Sequence, residues 1–293
     1  MDFNTAEELL TLCDIENKPI SEIMRLREIV YGERNADEVD EKMRKSLEIM
    51  RKSAHKPLTD VVKSIGGMIG GEANKLEKRR LEGKSICGNV LTKALIYSQA
   101  VLEVNASMGV IVAAPTAGSA GVLPAVLFAL QEEFELKDDV LLKGLFTAGA
   151  IGSLLMKNAS VSGAEAGCQA EIGSAAAMAA AAAVEMMGGT PAQCLDAASI
   201  TISNMLGLVC DPIAGLVEMP CQTRNAAGAS NALTSAEIVL AGIKAAVPFS
   251  EMAAAMYRVG KDLPYELRET ALGGCAATPT GCALKCRIFG GCD

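Results

Sequence analysis

Tryptophan is absent from this chain, histidine occurs once, and aromatic residues make up only 3% of it. Strands favour aromatic side chains, so the scarcity of aromatics argues against a sheet-rich fold. The apolar half of the composition comes instead from Ala, Gly, Met and Leu, which favours helices. Also missing is any basic run interleaved with aromatics. With 27 basic against 35 acidic residues and a net charge of −8, no nucleic-acid partner is expected. The first twenty residues, MDFNTAEELLTLCDIENKPI, hold neither a cationic region nor a long apolar one, so no signal peptide is read and a cytoplasmic location is expected. The most apolar stretch, Ile172 to Met187, is mostly Ala and carries Glu171 and Glu185 at its ends. Ala contributes little to membrane insertion, so the stretch reads as a buried helix with no membrane role.

What is present points to one domain. A chain of 293 residues that is half hydrophobic can bury a large core. Sixteen of the 27 basic residues precede Cys87, so a solvated helical layer is expected to wrap a more apolar remainder. Thr5-Ala-Glu-Glu8 has the form of a capping box, Pro19 to Glu22 leads into an amphipathic run ending at Gly32, and Asp37 to Ser53 makes a third surface helix. Between 59 and 80, Gly66 and Gly70, and Gly67 and Gly71, recur four apart. That spacing reads as close helix packing, because no Lys-Ser or Lys-Thr pair follows to make a nucleotide loop.

The string VIVAAPTAGSAGVLPAV reads as a loop, with a short strand conceivable at Val110 to Ala113. Ala-rich helices are expected from Leu141 to Met187. Thr190 is then an N-cap with Pro191 at the first helical position. Further helices are read at Ile200–Leu206, Ser235–Val247 and Ser250–Gly260, and the last thirty residues read as an irregular tail. No repeat or linker divides the chain.

Ten cysteines are many for a reducing compartment, where disulfides are rare, so metal binding or a reactive thiol is the leading explanation for some. Cys168, Cys210 and Cys221 sit in Gly- or Pro-bearing segments able to bend around a metal. Their separations of 42 and 11 positions match neither a zinc knuckle nor a ferredoxin run, so spacing alone leaves buried apolar thiols as an equal reading. Cys13, Cys87 and Cys194 fall in helical patterns and read as packing. Cys275, Cys282 and Cys286 match no standard site.

Four strings carry a resemblance: KNASVSGAEAGCQAEIG (157–173), GLVCDPIAGLVEMPCQTRNA (207–226), APTAGSAGVLPAV (114–126) and GKDLPYELRETALGG (260–274). They resemble the α subunit of bacterial iron-sulfur L-serine dehydratases, and the likeness covers most of the chain. The resemblance implies that Cys168, Cys210 and Cys221 hold a [4Fe-4S] cluster with one exchangeable iron. It also implies that the penultimate Cys292 folds back to cap that iron. The implied reaction is dehydration and deamination of L-serine to pyruvate and ammonia, with the open iron acting as a Lewis acid on the hydroxyl. No pyridoxal phosphate is implied, and no glycine-rich phosphate cradle of that class is found. A non-catalytic iron-sulfur scaffold or electron carrier remains the alternative from another class.

The general base is unknown in this chain. His55, the one histidine, lies in a charged segment that suits a surface or helix-end role. The long-chain members of the resembled family carry an extra N-terminal domain, so the resemblance implies a separate β subunit, a hetero-oligomer, and a base on the partner. For the substrate the candidates are Thr116, Gly118 and Ser119 in the loop, Lys157, Asn158, Ser160 and Ser162 before Cys168, and Arg224 after Cys221. Arg224 reads equally as a carboxylate fork or as a structural ion pair. The expected architecture is thus a mainly α single compact domain, Ala- and Gly-rich, over 1–293. It divides into a charged helical layer at 1–85, a cluster-binding core with irregular loops at 86–270, and an irregular tail at 271–293.

Overall fold

The computed structural model describes residues 2–291, and its helices begin where the capping signals stand. Thr5 accepts the Glu8 N–H while the Glu8 carboxylate returns to the Thr5 backbone, opening α1 (Ala6–Glu16). α2 (Ile20–Tyr31) starts after Pro19. Asn35 caps α3 (Ala36–Thr59), which runs six residues beyond the expected Ser53 and carries Pro57 in its last turn.

The expected helix over 59–80 is corrected to α4 (Glu72–Leu81). Gly67, Gly70 and Gly71 take positive φ and break the pattern, so residues 61–71 form a loop. α5 (Gly88–Ala106) and α6 (Val122–Phe134) flank the 107–121 loop. The strand weighed at Val110–Ala113 does not form; among the described residues the β pairing is a single parallel bridge between Cys210 and Arg268.

α7 (Asp138–Asn158), the one-turn α8 (Gly163–Ala166) and α9 (Cys168–Met186) follow. α10 (Pro191–Ser203) begins on the Thr190 capping box with Pro191 at its first position, as the sequence reads. The segment expected at Ile200–Leu206 is the end of this helix. α11 (Cys221–Leu240) absorbs the first part of the expected Ser235–Val247 helix and stops seven residues early. α12 (Phe249–Asp262) agrees with its expectation. The tail is not irregular throughout: Thr278 caps α13 (Pro279–Phe289), a Thr-Pro start of the same kind as at 190–191.

α9 is the centre of the molecule. Of its side chains all but Glu171 and Glu185 are buried, and its Ala run lets α7, α10, α11 and α6 close around it. α5 backs this group against α6 and α11, while α2, α3 and α4 lie outside on α7 and α5. One contiguous apolar core runs from Phe3 to Met256. α7 is the one described helix long and apolar enough to cross a membrane by length and composition, and it lies mostly buried between α2 and α9.

Candidate metal centre

Two of the three motif cysteines are the first residues of long helices, which sequence reading had placed in irregular segments. Cys168 opens α9 because Gly167 precedes it at φ +75. A Cβ there would stand 2.8 Å from the Leu208 carbonyl oxygen, so no other residue fits this turn without strain. Gln169 ties the start of α9 to its surroundings: its N–H donates to Leu208 O at 2.9 Å, its side-chain oxygen accepts the Gly207 N–H, and its amide donates to Met256 O. Cys221 opens α11 directly after Pro220. Both cysteines thus stand in the first turn of a helix, where backbone amides have no intrahelical partner.

Cys210 comes from a loop fixed by the 260–274 segment. Its N–H donates to Leu267 O at 2.8 Å, and its carbonyl accepts the Glu269 N–H at 2.7 Å. Glu269 itself is in the left-handed region at φ +63, an uncommon state for a side-chain-bearing residue. The bridge between Cys210 and Arg268 thereby joins two of the sequence motifs that are distant in the chain.

The sulfurs of Cys168 and Cys210 and a carboxylate oxygen of Glu171 all lie within 4.8 Å of one another. All three cysteines are buried, at 1%, 2% and 6% exposure for Cys168, Cys210 and Cys221. The Cys210 thiol is pushed far up by its hydrogen bond to Cys168 and then by burial. Burial raises Cys221 as well, with the charges of Cys168 and Glu171 adding to it. Crowded thiols that resist ionisation in this way are what a soft cation stabilises as thiolates. The donor set therefore fits a thiolate-held metal group.

Space is left beside them by glycine. A Cβ on Gly163 would lie 3.0 Å from Cys210 Sγ, 3.2 Å from Glu171 Oε2 and 3.4 Å from Glu269 Oε2. A Cβ on Gly118 would lie 2.6 Å from Glu171 Oε1. Burial raises the Glu171 carboxyl, and the nearby charge of Glu269 adds to the effect against a hydrogen bond from Thr116.

The 107–121 loop reaches the centre through Glu171. Thr116 Oγ1 donates to its carboxylate and lies 2.9 Å from Ser119 Oγ. Asn225 on α11 holds the loop in place, its amide donating to Gly118 O at 2.7 Å and its oxygen accepting the Gly121 N–H. Ser119 is fully buried, so it orients Thr116. Arg224 forms an ion pair with Asp211 at 2.6 Å, whose geometry is not that of an aligned hydrogen bond, and its guanidinium lies 3.7 Å from Cys168 Sγ. Of the two readings left open by sequence, the structure shows the ion pair, with the guanidinium beside Cys168.

The remaining candidates divide. Ser160 donates to Glu165 and accepts the Ser162 N–H, and the Ser162 carbonyl accepts the Glu165 and Ala166 N–H groups that open α8, so these two shape the turn at Gly163. Lys157 and Asn158 are not gathered there; the Lys157 ammonium meets Phe3 O and Asn4 Oδ1, and Asn158 donates to Asn4 O. Cys292 lies outside the described residues. Cys275 does approach the centre, its N–H donating to Asp211 Oδ2 at 2.6 Å. Cys13 and Cys194 are buried near Glu185, with burial pushing Cys13 up to about 12, in keeping with packing. His55 sits half-buried against Tyr97 and Phe128 with Glu132 at 3.4 Å.

Sequence reasoning missed Glu171, Asp211 and Glu269 as members of the site. Each stood in a quoted string, Glu171 one helical turn beyond Cys168 and Asp211 directly after Cys210, so position relative to the cysteines was the available signal.

A family model described as "Serine dehydratase alpha chain" matches residues 15–276. The chain is 48% identical over 289 residues to the "Probable L-serine dehydratase, alpha chain" of Bacillus subtilis, covering 99% of this chain and 96% of that one. It is 47% identical over 282 residues to the "L-serine dehydratase, alpha chain" of Peptoniphilus asaccharolyticus, covering 96% and 97%. An "L-serine dehydratase" of Helicobacter pylori is 39% identical over 294 residues; here the chain is covered to 97% but spans only 62% of the relative.

Proposed function

This chain belongs to the serine dehydratase alpha-chain family, and from that premise we propose that it is the cluster-bearing subunit of an enzyme converting L-serine to pyruvate and ammonia. The observation that carries the reading is the meeting of the Cys168 and Cys210 sulfurs with Glu171 within 4.8 Å beneath the Thr116 loop, with Cys221 buried at the start of α11 where the charges of Cys168 and Glu171 reach it. The relatives' names are those of dehydratases, which favours an enzyme over an electron carrier.

In this proposal Cys168, Cys210 and Cys221 hold a [4Fe-4S] cluster, and Cys292 is a tail ligand to it. When bound, such a cluster supplies an iron with an exchangeable position, a Lewis acid for the hydroxyl that must leave. The chain's residues do the rest of the positioning. Arg224, beside Cys168 and paired with Asp211, balances thiolate charge near the cluster. Thr116 fixes the Glu171 carboxylate, and Glu171 and Glu269 offer acceptors to the ammonium group of an amino acid above Gly163. Gly118 and Gly163 leave the room the substrate needs. Ser160 and Ser162 hold the Gly163 turn from behind.

The chain carries one histidine, and it contacts Tyr97, Phe128 and Glu132 away from the thiol group. A separate β subunit is therefore assigned the base that removes the α-proton. Relatives such as that of Helicobacter pylori, of which this chain spans 62%, carry additional length in which that part would reside.

The test is anaerobic purification, addition of the partner subunit, and assay of pyruvate from L-serine. A broad absorption shoulder near ~400 nm that bleaches in air is expected. Colourless, iron-free protein that still deaminates serine would overturn the reading.

A further inference from the structure

The 64–69 loop that replaces the expected helix is wrapped around a carboxylate. Glu218 is 2% exposed, and its two oxygens accept three hydrogen bonds: Gly66 N–H to Oε1 at 2.6 Å, and Ser64 Oγ and Met68 N–H to Oε2 at 2.7 and 3.0 Å. Ser64 is itself pinned, its hydroxyl accepting the Ile69 N–H and its N–H donating to Ile69 O. Backbone amides that converge in this way form an anion nest, and here the anion is the protein's own side chain. Gly66 is required for the approach, since a Cβ would stand 2.8 Å from Glu218 Oε1.

The same residue holds the start of α11 with its main chain. Glu218 O accepts the Gln222 N–H at 2.9 Å, closing the turn in which Cys221 is the first helical residue. One residue thus grips a loop with its carboxylate and a helix start with its carbonyl. Only Met219 and Pro220 stand between Glu218 and Cys221. We propose that Glu218 is a positioning residue for Cys221, and that the glycine-rich 64–69 loop belongs to the apparatus that holds the thiol group together. The inference rests on the proposed function only in taking Cys221 as a ligand.

The experiment uses the full chain without metal and reads alkylation of each cysteine by peptide mass spectrometry. Glu218→Gln keeps the shape but turns one acceptor into a donor facing an N–H. Gly66→Ala breaks the same contact from the loop side. Both should raise the alkylation rate of Cys221, relative to Cys168, about tenfold, the scale on which outer partners of metal ligands act. The control is Glu103→Gln: Glu103 is fully buried and accepts the Ala73 N–H at 2.9 Å, on the next helix start, yet precedes no cysteine of the centre. Its ratio should stay at the wild-type value.

An unchanged ratio in both test variants, or an equal rise in Glu103→Gln, would overturn the proposal. Anaerobic iron release to a chelator gives a second readout, expected to be about tenfold faster in Glu218→Gln. Should wild-type protein take up no iron, the cluster reading falls while the alkylation ratio still decides the role of Glu218.

Discussion

Replacing Gly163 by Ala adds one carbon at the point where Cys210, Glu171 and Glu269 face each other. Gly163 is not in the left-handed region, so its backbone accepts Ala without conformational strain. The new methyl would meet Cys210 Sγ at 3.0 Å, Glu171 Oε2 at 3.2 Å and Glu269 Oε2 at 3.4 Å. These are closer than ordinary van der Waals contact, and each neighbour must give by a few tenths of an ångström. Overpacking of this size costs about 1–3 kcal/mol. The metal-free chain should therefore unfold in urea within about 3 kcal/mol of wild type.

A metal group is less forgiving, because ligand positions are set to about 0.2 Å, and a misplacement of about 1 Å costs on the order of 100-fold in turnover. Gly163→Ala should thus reduce iron content per chain after anaerobic reconstitution. It should also lower pyruvate formation with the partner subunit, by less than the roughly 100-fold that a full 1 Å misplacement costs. A variant with wild-type iron and turnover would refute the reasoning, since the space above Gly163 would then serve nothing.

Other outcomes follow from the same geometry. Cys168→Ala, Cys210→Ala and Cys221→Ala should each abolish the ~400 nm shoulder and the activity together; a variant that keeps activity without colour would separate the two. Arg224→Gln leaves Asp211, with its side chain 3% exposed, buried without its cation, and should destabilise the chain by about 3–5 kcal/mol in denaturant titration. For His55, the hydrogen bond it donates to Glu132 raises the imidazole above its ordinary value of 6.5, against burial, which lowers it. Burial raises Glu132 too, yet His55, Tyr97 and Lys93 outweigh it and hold that carboxyl at about 2. A raised folded-state value means the pair stabilises fully below pH 6.5 and loses its contribution as pH rises through the higher folded value. The stability difference between wild type and His55→Gln should shrink from pH 6 to pH 9; a difference flat across that range would exclude the coupling.

The helical class was legible in composition, because with few aromatic residues a sheet has less to pack with, whereas Ala-rich runs close against one another. The starts at Thr5 and Thr190 were legible too, since a capping box is a local arrangement of four residues. The same local signal at Thr278-Pro279 was available and passed over, and α13 formed there. The three cysteines and the 114–126 loop stood in strings long enough to be recognised. Only the tertiary structure decided what surrounds them. Glu269 meets Cys210 through a backbone bridge between distant segments, and Glu171 meets Thr116 across 55 positions. The glycine pairs at 66–71 have the period of a helix, but they fold as a loop because a carboxylate 150 positions away occupies their amides. Periodicity records what a segment does along its own axis; which charge it must satisfy is set by the partner that the rest of the chain brings to it.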